Sequence, residues 1–266
     1  MKSNAPSSNQ LNQVIAHLRR AIQHRDGRDV VLLFAGETAR MVAFALGLLN
    51  SYVRSSRRTP KLVCLSKILP TCSCISSFAS STNQALTCAR ALTDMLEEWQ
   101  IMNRLWGVLD MWTAGTDLLE RVSRGELGKK SGKGTFAAIE GLQTLFLTSF
   151  HICEAASFLS SKKVVNLSPK TQERLTFVAI RFWAAFTMTE IGRLLLDWSR
   201  NTQQGSSDVS EEWKKGWKKE LLQNMAWAPV TLHWSLRQGL IPEALVSPLA
   251  VFATWSLVKD VWQSSA

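Results

Sequence analysis

VVLLFAGETARMVAFALGLLNSYV, residues 30–53, is the stretch whose reading decides the class of this chain. Gly27 can close a preceding helix and Asp29 can cap a new one, so the run is read as one strongly apolar helix ending near Arg54. Glu37 and Arg40 stand at its centre. A charge at mid-bilayer costs roughly 2.5–3.5 kcal/mol even on the lenient insertion scale, so a simple membrane span is not the expected reading. An apolar helix that belongs to a bundle at a membrane is.

Upstream, after a polar leader over 1–10, Leu11, Val14, Ile15, Leu18 and Ile22 recur at helical spacing, with Gln10, Asn12, Gln13, Arg19, Arg20 and Gln23 opposite them. This pattern predicts an amphipathic basic helix over 8–24, with Arg25 just beyond it. Downstream, Arg54, Arg57 and Arg58 form a basic loop ahead of Pro60, which closes a first unit at 11–61. Residues 62–84 are rich in Ser and Cys with poor periodicity and are read as an irregular segment.

Helical pattern returns from about Asn83 to Val122, where Leu92, Met95, Leu96, Trp99, Met102, Leu105, Trp106 and Leu109 mark an apolar face. A helix or a broken helix pair fits it. Residues 123–134 form a Gly/Lys loop that lacks the GxxxxGK[ST] order and the preceding strand of a phosphate-binding loop. Two long apolar helices follow near Thr135–Lys162 and Pro169–Thr202, the second opened by Ser168 as N-cap and Pro169 at the first position. Glu140, His151 and Glu154 interrupt the first, and Arg181, Glu190 and Arg193 the second. A helical hairpin with these charges paired or at the rim is therefore expected within a central bundle over 85–202.

Residues 203–266 make a Trp-rich C-terminal unit. A capping pattern at Asp208 and Glu211 precedes EEWKKGWKKELLQNMAWAPVTLHWSL, which begins basic and turns apolar before Gly239 and Pro242 end it. Ala244–Val258 is the longest uncharged run, at 15 residues. The two arms are expected to enter the membrane as a hairpin. The fold class that results is all-α: a membrane-associated bundle of long amphipathic and apolar helices with a C-terminal helical hairpin.

Composition agrees, since 11 Trp against one Tyr, with only 7 Pro and 14 Gly, suits long helices with interfacial anchors. Six of the Trp (Trp213, Trp217, Trp227, Trp234, Trp255 and Trp262) crowd the last fifth of the chain, where interfacial and core roles are both open. A net charge of +10 favours an anionic partner, either lipid headgroups or nucleic acid. No compact recognition helix or Lys/Arg stripe supports nucleic acid. The five cysteines form no paired CxxC or Cys/His set, so neither a metal nor a disulfide framework is expected. His17, His24, His151 and His233 lie on different helices, and the adjacent carboxylates Glu97-Glu98 and Glu211-Glu212 splay by about 100° on a helix. No enzyme and no cofactor are expected.

The block LTDMLEEWQIMNRLWGVLDMW (92–112), with Arg104-Leu105-Trp106-Gly107, resembles the central helix of fungal members of the peroxin-11 family. The opening is similar to the same family, which sets an amphipathic helix before a G-x-D turn and an apolar helix holding an internal Arg, here Gly27 to Arg40. FHICEAASFLSSKKVVNL (150–167) with Glu154, then Arg181-Phe-Trp183, resembles its Glu-containing helix, short loop and Arg-x-Trp helix; Pro229, His233, Trp234 and Gly239 resemble its C-terminal signature. The segment 62–84 has no counterpart. The resemblance implies a peroxisomal membrane protein with cytosol-facing termini that elongates and proliferates the organelle, self-associates and prepares sites for a dynamin-type GTPase of the fission machinery.

A compatible mechanism follows from the residues. An amphipathic helix that inserts shallowly expands one leaflet, and basic side chains bind anionic headgroups at about 1 kcal/mol each. The expected membrane-binding set is Leu11, Val14, Ile15, Leu18, Arg19, Arg20, Ile22, Arg25, Arg40, Arg54, Arg57 and Arg58. Trp106 and Trp183 are the expected packing anchors for self-association. Two other readings stay open: a channel or metabolite transporter with Glu37, Arg40, Glu154 and Arg181 along a polar path, and a soluble basic helical binding module.

Overall fold

Local signals set the ends of the helices. Pro169 supplies a preset backbone angle at a helix start, and the Ser168 hydroxyl accepts the Thr171 amide at 3.1 Å. The Ser210 hydroxyl accepts the Trp213 amide at 3.2 Å, so Ser210 is the N-cap of the following helix; the expected Asp208 lies outside the described residues. The computed structural model describes residues 8–58, 71–125, 133–203 and 210–265. These form α1 (Ser8–Ala21), α2 (Arg25–Arg58), α3 (Thr71–Arg104), α4 (Gly107–Ser123), α5 (Lys133–Ser161), α6 (Pro169–Gln203), α7 (Glu211–Ser235) and α8 (Glu243–Ser264), with no strand among them. The all-α reading holds.

α2 and α3 pack antiparallel: Arg40 pairs with Glu97, and Asn50 donates to Asn83 at 3.2 Å further along. α5 and α6 form the expected hairpin. Its turn is closed by the amides of Val164 and Val165, both donating to the Leu159 carbonyl, and it carries Lys163 in the left-handed region at φ 61°. α6 packs on α7, and α7 and α8 form the C-terminal hairpin. α8 also packs along α2, which ties the two ends of the chain together.

The core sits between α7 and α8, where Ala226, Trp227, Val230, Val246, Ala250 and Ala253 are buried, with Leu33, Trp183 and Trp234 packed against them. Small residues at this seam let the helix backbones approach, which is the packing mode of helices in lipid. A smaller cluster of Leu32, Ala39 and Leu96 joins α2 to α3.

Several boundaries differ from expectation. α2 begins at Arg25, so Gly27 and Asp29 lie inside it, and it runs through Arg54 and Arg57 to Arg58, where a basic loop was expected. Residues 71–84 are helical, as the start of α3, and 62–70 lie outside the described residues. Ser and Cys are only modestly unfavourable in helices, and Thr82 and Leu86 are buried within this helix. Of the two readings of 83–122 the broken pair holds: the helix stops at Arg104, Leu105 and Trp106 form a turn, and Trp106 caps α4 without a side-chain hydrogen bond. Residues 126–132 of the Gly/Lys loop lie outside the described residues.

Candidate membrane interface

An amphipathic helix of a soluble bundle turns its apolar stripe inward. α1 does the reverse: Val14 and Ile15 are 51% and 55% exposed, and Leu18 and Ile22 are exposed beside them. The helix is held by its other edge. The His17 ring stacks on Trp262 with centroids 4.0 Å apart, Arg20 Nε donates to the Ser265 carbonyl at 2.8 Å, and Ala21 is buried. Gly27 makes the tight passage into α2, since a Cβ there would stand 2.1 Å from the Ala21 carbonyl oxygen. Arg19 is exposed and free to meet a headgroup. Side chains of this kind are worth about 1.5–3 kcal/mol each when fully buried, against about 1 kcal/mol for a cation at an anionic surface. Apolar insertion therefore dominates the energy available to α1, and charge orients it. The side chains of Leu11, Arg25, Arg54, Arg57 and Arg58 lie outside the described residues.

Among the described residues, Gly27–Tyr52, Gly134–Ser161 and Glu243–Ser264 are long and apolar enough to cross a membrane, by length and composition. The second was not expected as a span because of Glu140, His151 and Glu154, nor the first because of Glu37 and Arg40. Their placement explains the difference: Glu37 is buried, Arg40 Nη1 lies 2.9 Å from its carboxylate, and the same guanidinium reaches Glu97 of α3. Charges that face a neighbouring helix and pair there avoid most of the cost of lipid exposure. Glu37 and Arg40 pair with each other between α2 and α3, and Glu154 pairs separately with Arg104. Arg181 lies apart from them at an exposed edge, its Nε 3.4 Å from the Ser235 carbonyl.

Beside the second candidate span, α6 carries a comparable pair. Glu190 accepts from Gln143 Nε2 at 2.6 Å and from Arg193 Nε at 2.9 Å. Burial alone would raise the Glu190 pKa, but these donors and the Arg193 charge outweigh it and hold the carboxyl below its ordinary value. The resulting stability is complete above the ordinary value of 4.5 and is lost as pH falls from there through the lower folded value. Glu190→Gln is expected to flatten this acid limb when helical content is titrated, and an unchanged limb would remove Glu190 as its source.

The tryptophans divide between the two roles that composition left open. Trp227 is buried, and Trp183 stands 5.0 Å from it and 6.0 Å from Trp234, centroid to centroid. Trp198, Trp213 and Trp217 stack as a second group where α6 meets the basic first half of α7, and Trp217 Nε1 donates to the Leu194 carbonyl at 2.8 Å. Trp255 and Trp262 are exposed on α8. Partly exposed indoles beside Lys214, Lys215 and Lys218 have the composition of a membrane-interface belt.

The residues singled out by the family resemblance converge on two contacts in the interior. Arg104 reaches from α3 to α5 and donates to Glu154 through Nε and Nη2 at 3.0 and 2.8 Å. Burial works against the charged guanidinium, but the Glu154 carboxylate prevails and raises its pKa further above the ordinary value. The Leu105-Trp106 turn follows, and at Gly107 a Cβ would lie 2.5 Å from the His151 ring. In the C-terminal hairpin, His233 Nδ1 accepts the amides of Leu240 and Ile241 at 3.0 and 3.1 Å, leaving Nε2 to face Glu243 at 3.2 Å. Gly239, at φ 68°, passes so close to this ring that a Cβ would stand 2.4 Å from it. Pro229 removes one amide from α7 at the edge of the core.

A relay of rings joins the contacts. The Arg40 guanidinium lies 5.3 Å from the Trp234 centroid, Trp234 packs on Trp183, Trp183 lies 6.0 Å from Phe150, and Arg104 lies 5.9 Å from Phe150. Trp183 is thus an internal packing residue, whereas Trp106 is 65% exposed. Phe150 was not singled out in the sequence, whereas Trp227 was named there with its role open between core and interface. The place of Phe150 one helical turn before Glu154 is the signal that points to it.

No family model matches the chain. Ninety of its residues, 34% of its length, are 24% identical to an uncharacterised protein of Schizosaccharomyces pombe, and the match spans 41% of that protein. No solved structure matches. These comparisons assign neither a family nor an activity.

Proposed function

We propose that the chain is a peroxisomal membrane protein that bends and elongates its membrane through insertion of α1, as the resemblance to the peroxin-11 family implies. The observation that supports this reading best is the outward apolar stripe Val14-Ile15-Leu18-Ile22 on a helix attached to the bundle through His17, Arg20 and Ala21. The three apolar helices hold the body at the membrane. α1 wedges into the headgroup region of one leaflet, which curves the bilayer towards the protein. Its termini face the cytosol, where a dynamin-type GTPase acts on the thinned tubule.

Self-association belongs to the same proposal. Leu92, Met95, Trp99, Met102 and Trp106 form an exposed apolar stripe down α3 and into the turn, which suits pairing with a second copy within the membrane. Crosslinking that traps only monomer in membranes would remove this part.

Arg19→Glu with Arg20→Glu is expected to weaken binding to anionic vesicles by about tenfold or more with helical content unchanged. Arg19 is the cleaner test, because Arg20 also bonds the Ser265 carbonyl. The decisive experiment is carbonate extraction of membranes from cells expressing the full chain, with peroxisome number and length imaged in parallel. Retention in the pellet with longer or more numerous peroxisomes is the expected result. Release into the supernatant with unchanged peroxisomes would overturn the reading.

A further inference from the structure

We propose that the groove between α7 and α8 holds one anionic phospholipid, with its phosphate at Lys215 and Lys218 and an acyl chain along Leu222, Phe252 and Trp255. The proposal rests on the membrane reading above and adds to it a defined lipid site, separate from α1.

The groove has a volume of about 300 Å³. Two of its three lysines are not spoken for: Lys219 pairs with Asp260, and neighbouring Lys214 with Glu211, but among the described residues neither Lys215 nor Lys218 has a carboxylate partner. Its apolar walls are equally unsatisfied, since Leu222, Phe252 and Trp255 are all exposed, Phe252 and Trp255 by 56%. Both kinds of group are ordered along the groove. Lys215, Lys218 and Leu222 follow one another at helical spacing on α7, with exposed Met225 next. On α8, exposed Lys259, then Trp255, then Phe252 run the same way in space, because the helices are antiparallel with Lys219 at Asp260 and Ser256 donating to Gln223 at 3.0 Å.

The groove is therefore cationic at one end and apolar at the other. From Lys215 to Met225 the helix rises about 15 Å, which matches half of the roughly 30 Å hydrocarbon layer. A soluble polyanion would need cations along its whole length, and an apolar peptide would need none. An anionic amphiphile satisfies both ends, and a membrane supplies it.

The test is native mass spectrometry of the full chain in a non-ionic detergent, titrated with phosphatidylserine, phosphatidylcholine or soluble glycerophosphoserine. Phosphatidylserine is expected to be retained and phosphatidylcholine lost. K215E with K218E should reduce retention by about tenfold or more, whereas K163E with K170E, an equal charge change at the α5–α6 turn, should not. F252S should reduce retention while helical content stays constant. If the charge reversal perturbs folding, K215Q with K218Q makes the same test with a smaller expected loss. Equal weakening by K163E with K170E, equal retention of phosphatidylcholine, or displacement by glycerophosphoserine at matched concentration would each overturn the site. Carbonate extraction separates the two failures: release of the wild-type chain defeats the membrane reading, whereas a pelleted chain whose phosphatidylserine retention ignores Lys215 and Lys218 defeats the groove alone.

Discussion

Arg104→Ala is expected to destabilise the folded chain by about 3 kcal/mol, because it strips two hydrogen bonds from a Glu154 carboxylate held between α3 and α5. Glu154 is only 17% exposed, so water replaces the guanidinium poorly. The loss should pass along the ring relay, since Arg104 also lies over Phe150, which touches Trp183. Replacing both partners, Arg104→Met with Glu154→Leu, should recover most of the stability by leaving no orphaned charge. Thermal unfolding in detergent followed by helical circular dichroism reads both variants. An Arg104→Ala chain that unfolds at the wild-type temperature would show that the pair contributes nothing to holding α3 against α5.

Ile15→Asp with Leu18→Asp should abolish deformation of anionic vesicles and lower binding at least about a hundredfold, given about 1.5–3 kcal/mol for each buried side chain. Both residues are exposed, so helical content and the packing of α2 on α8 should survive. Tubule formation seen by electron microscopy, alongside vesicle flotation, separates the outcomes. A double variant that still forms tubules would assign insertion to another element and leave α1 as a surface strut.

Periodicity made most of the helices legible, including the α5–α6 hairpin and the α7–α8 pair. It also picked out Leu92, Met95, Leu96, Trp99, Met102, Leu105, Trp106 and Leu109 as one apolar group. What it could not reveal is which way that group faces: Leu96 is buried against α2 and Leu105 is half-buried, while the other six are exposed. In a water-soluble protein an apolar side means an interior. At a membrane both directions are apolar, and the period of 3.6 residues is the same for each. The α1 stripe carries the same ambiguity, resolved only by the His17–Trp262 stack on the far edge.

Pairings were harder to read than faces. Arg104 and Glu154 were each singled out, but their 50-residue separation hides the contact that joins them. Likewise, Lys215 and Lys218 read as part of a basic helix start, and only the antiparallel register of α8 puts Phe252 and Trp255 beside them. Residues 71–84 were misread for a different reason. A Ser- and Cys-rich stretch has little pattern of its own, and its helix is the first part of α3, which packs on α2.

The closeness of Gly107 to the His151 ring has an evolutionary consequence. With a Cβ at 107 destined for a point 2.5 Å from the imidazole, the two positions behave as a single locus under selection. A lineage can leave glycine at 107 only after the ring at 151 has been lost or has swung aside. The reverse order passes through a clash, so one path between two viable genotypes is closed while the other stays open. Among descendants of a common ancestor, substitutions at 107 should therefore be commoner on backgrounds already changed at 151.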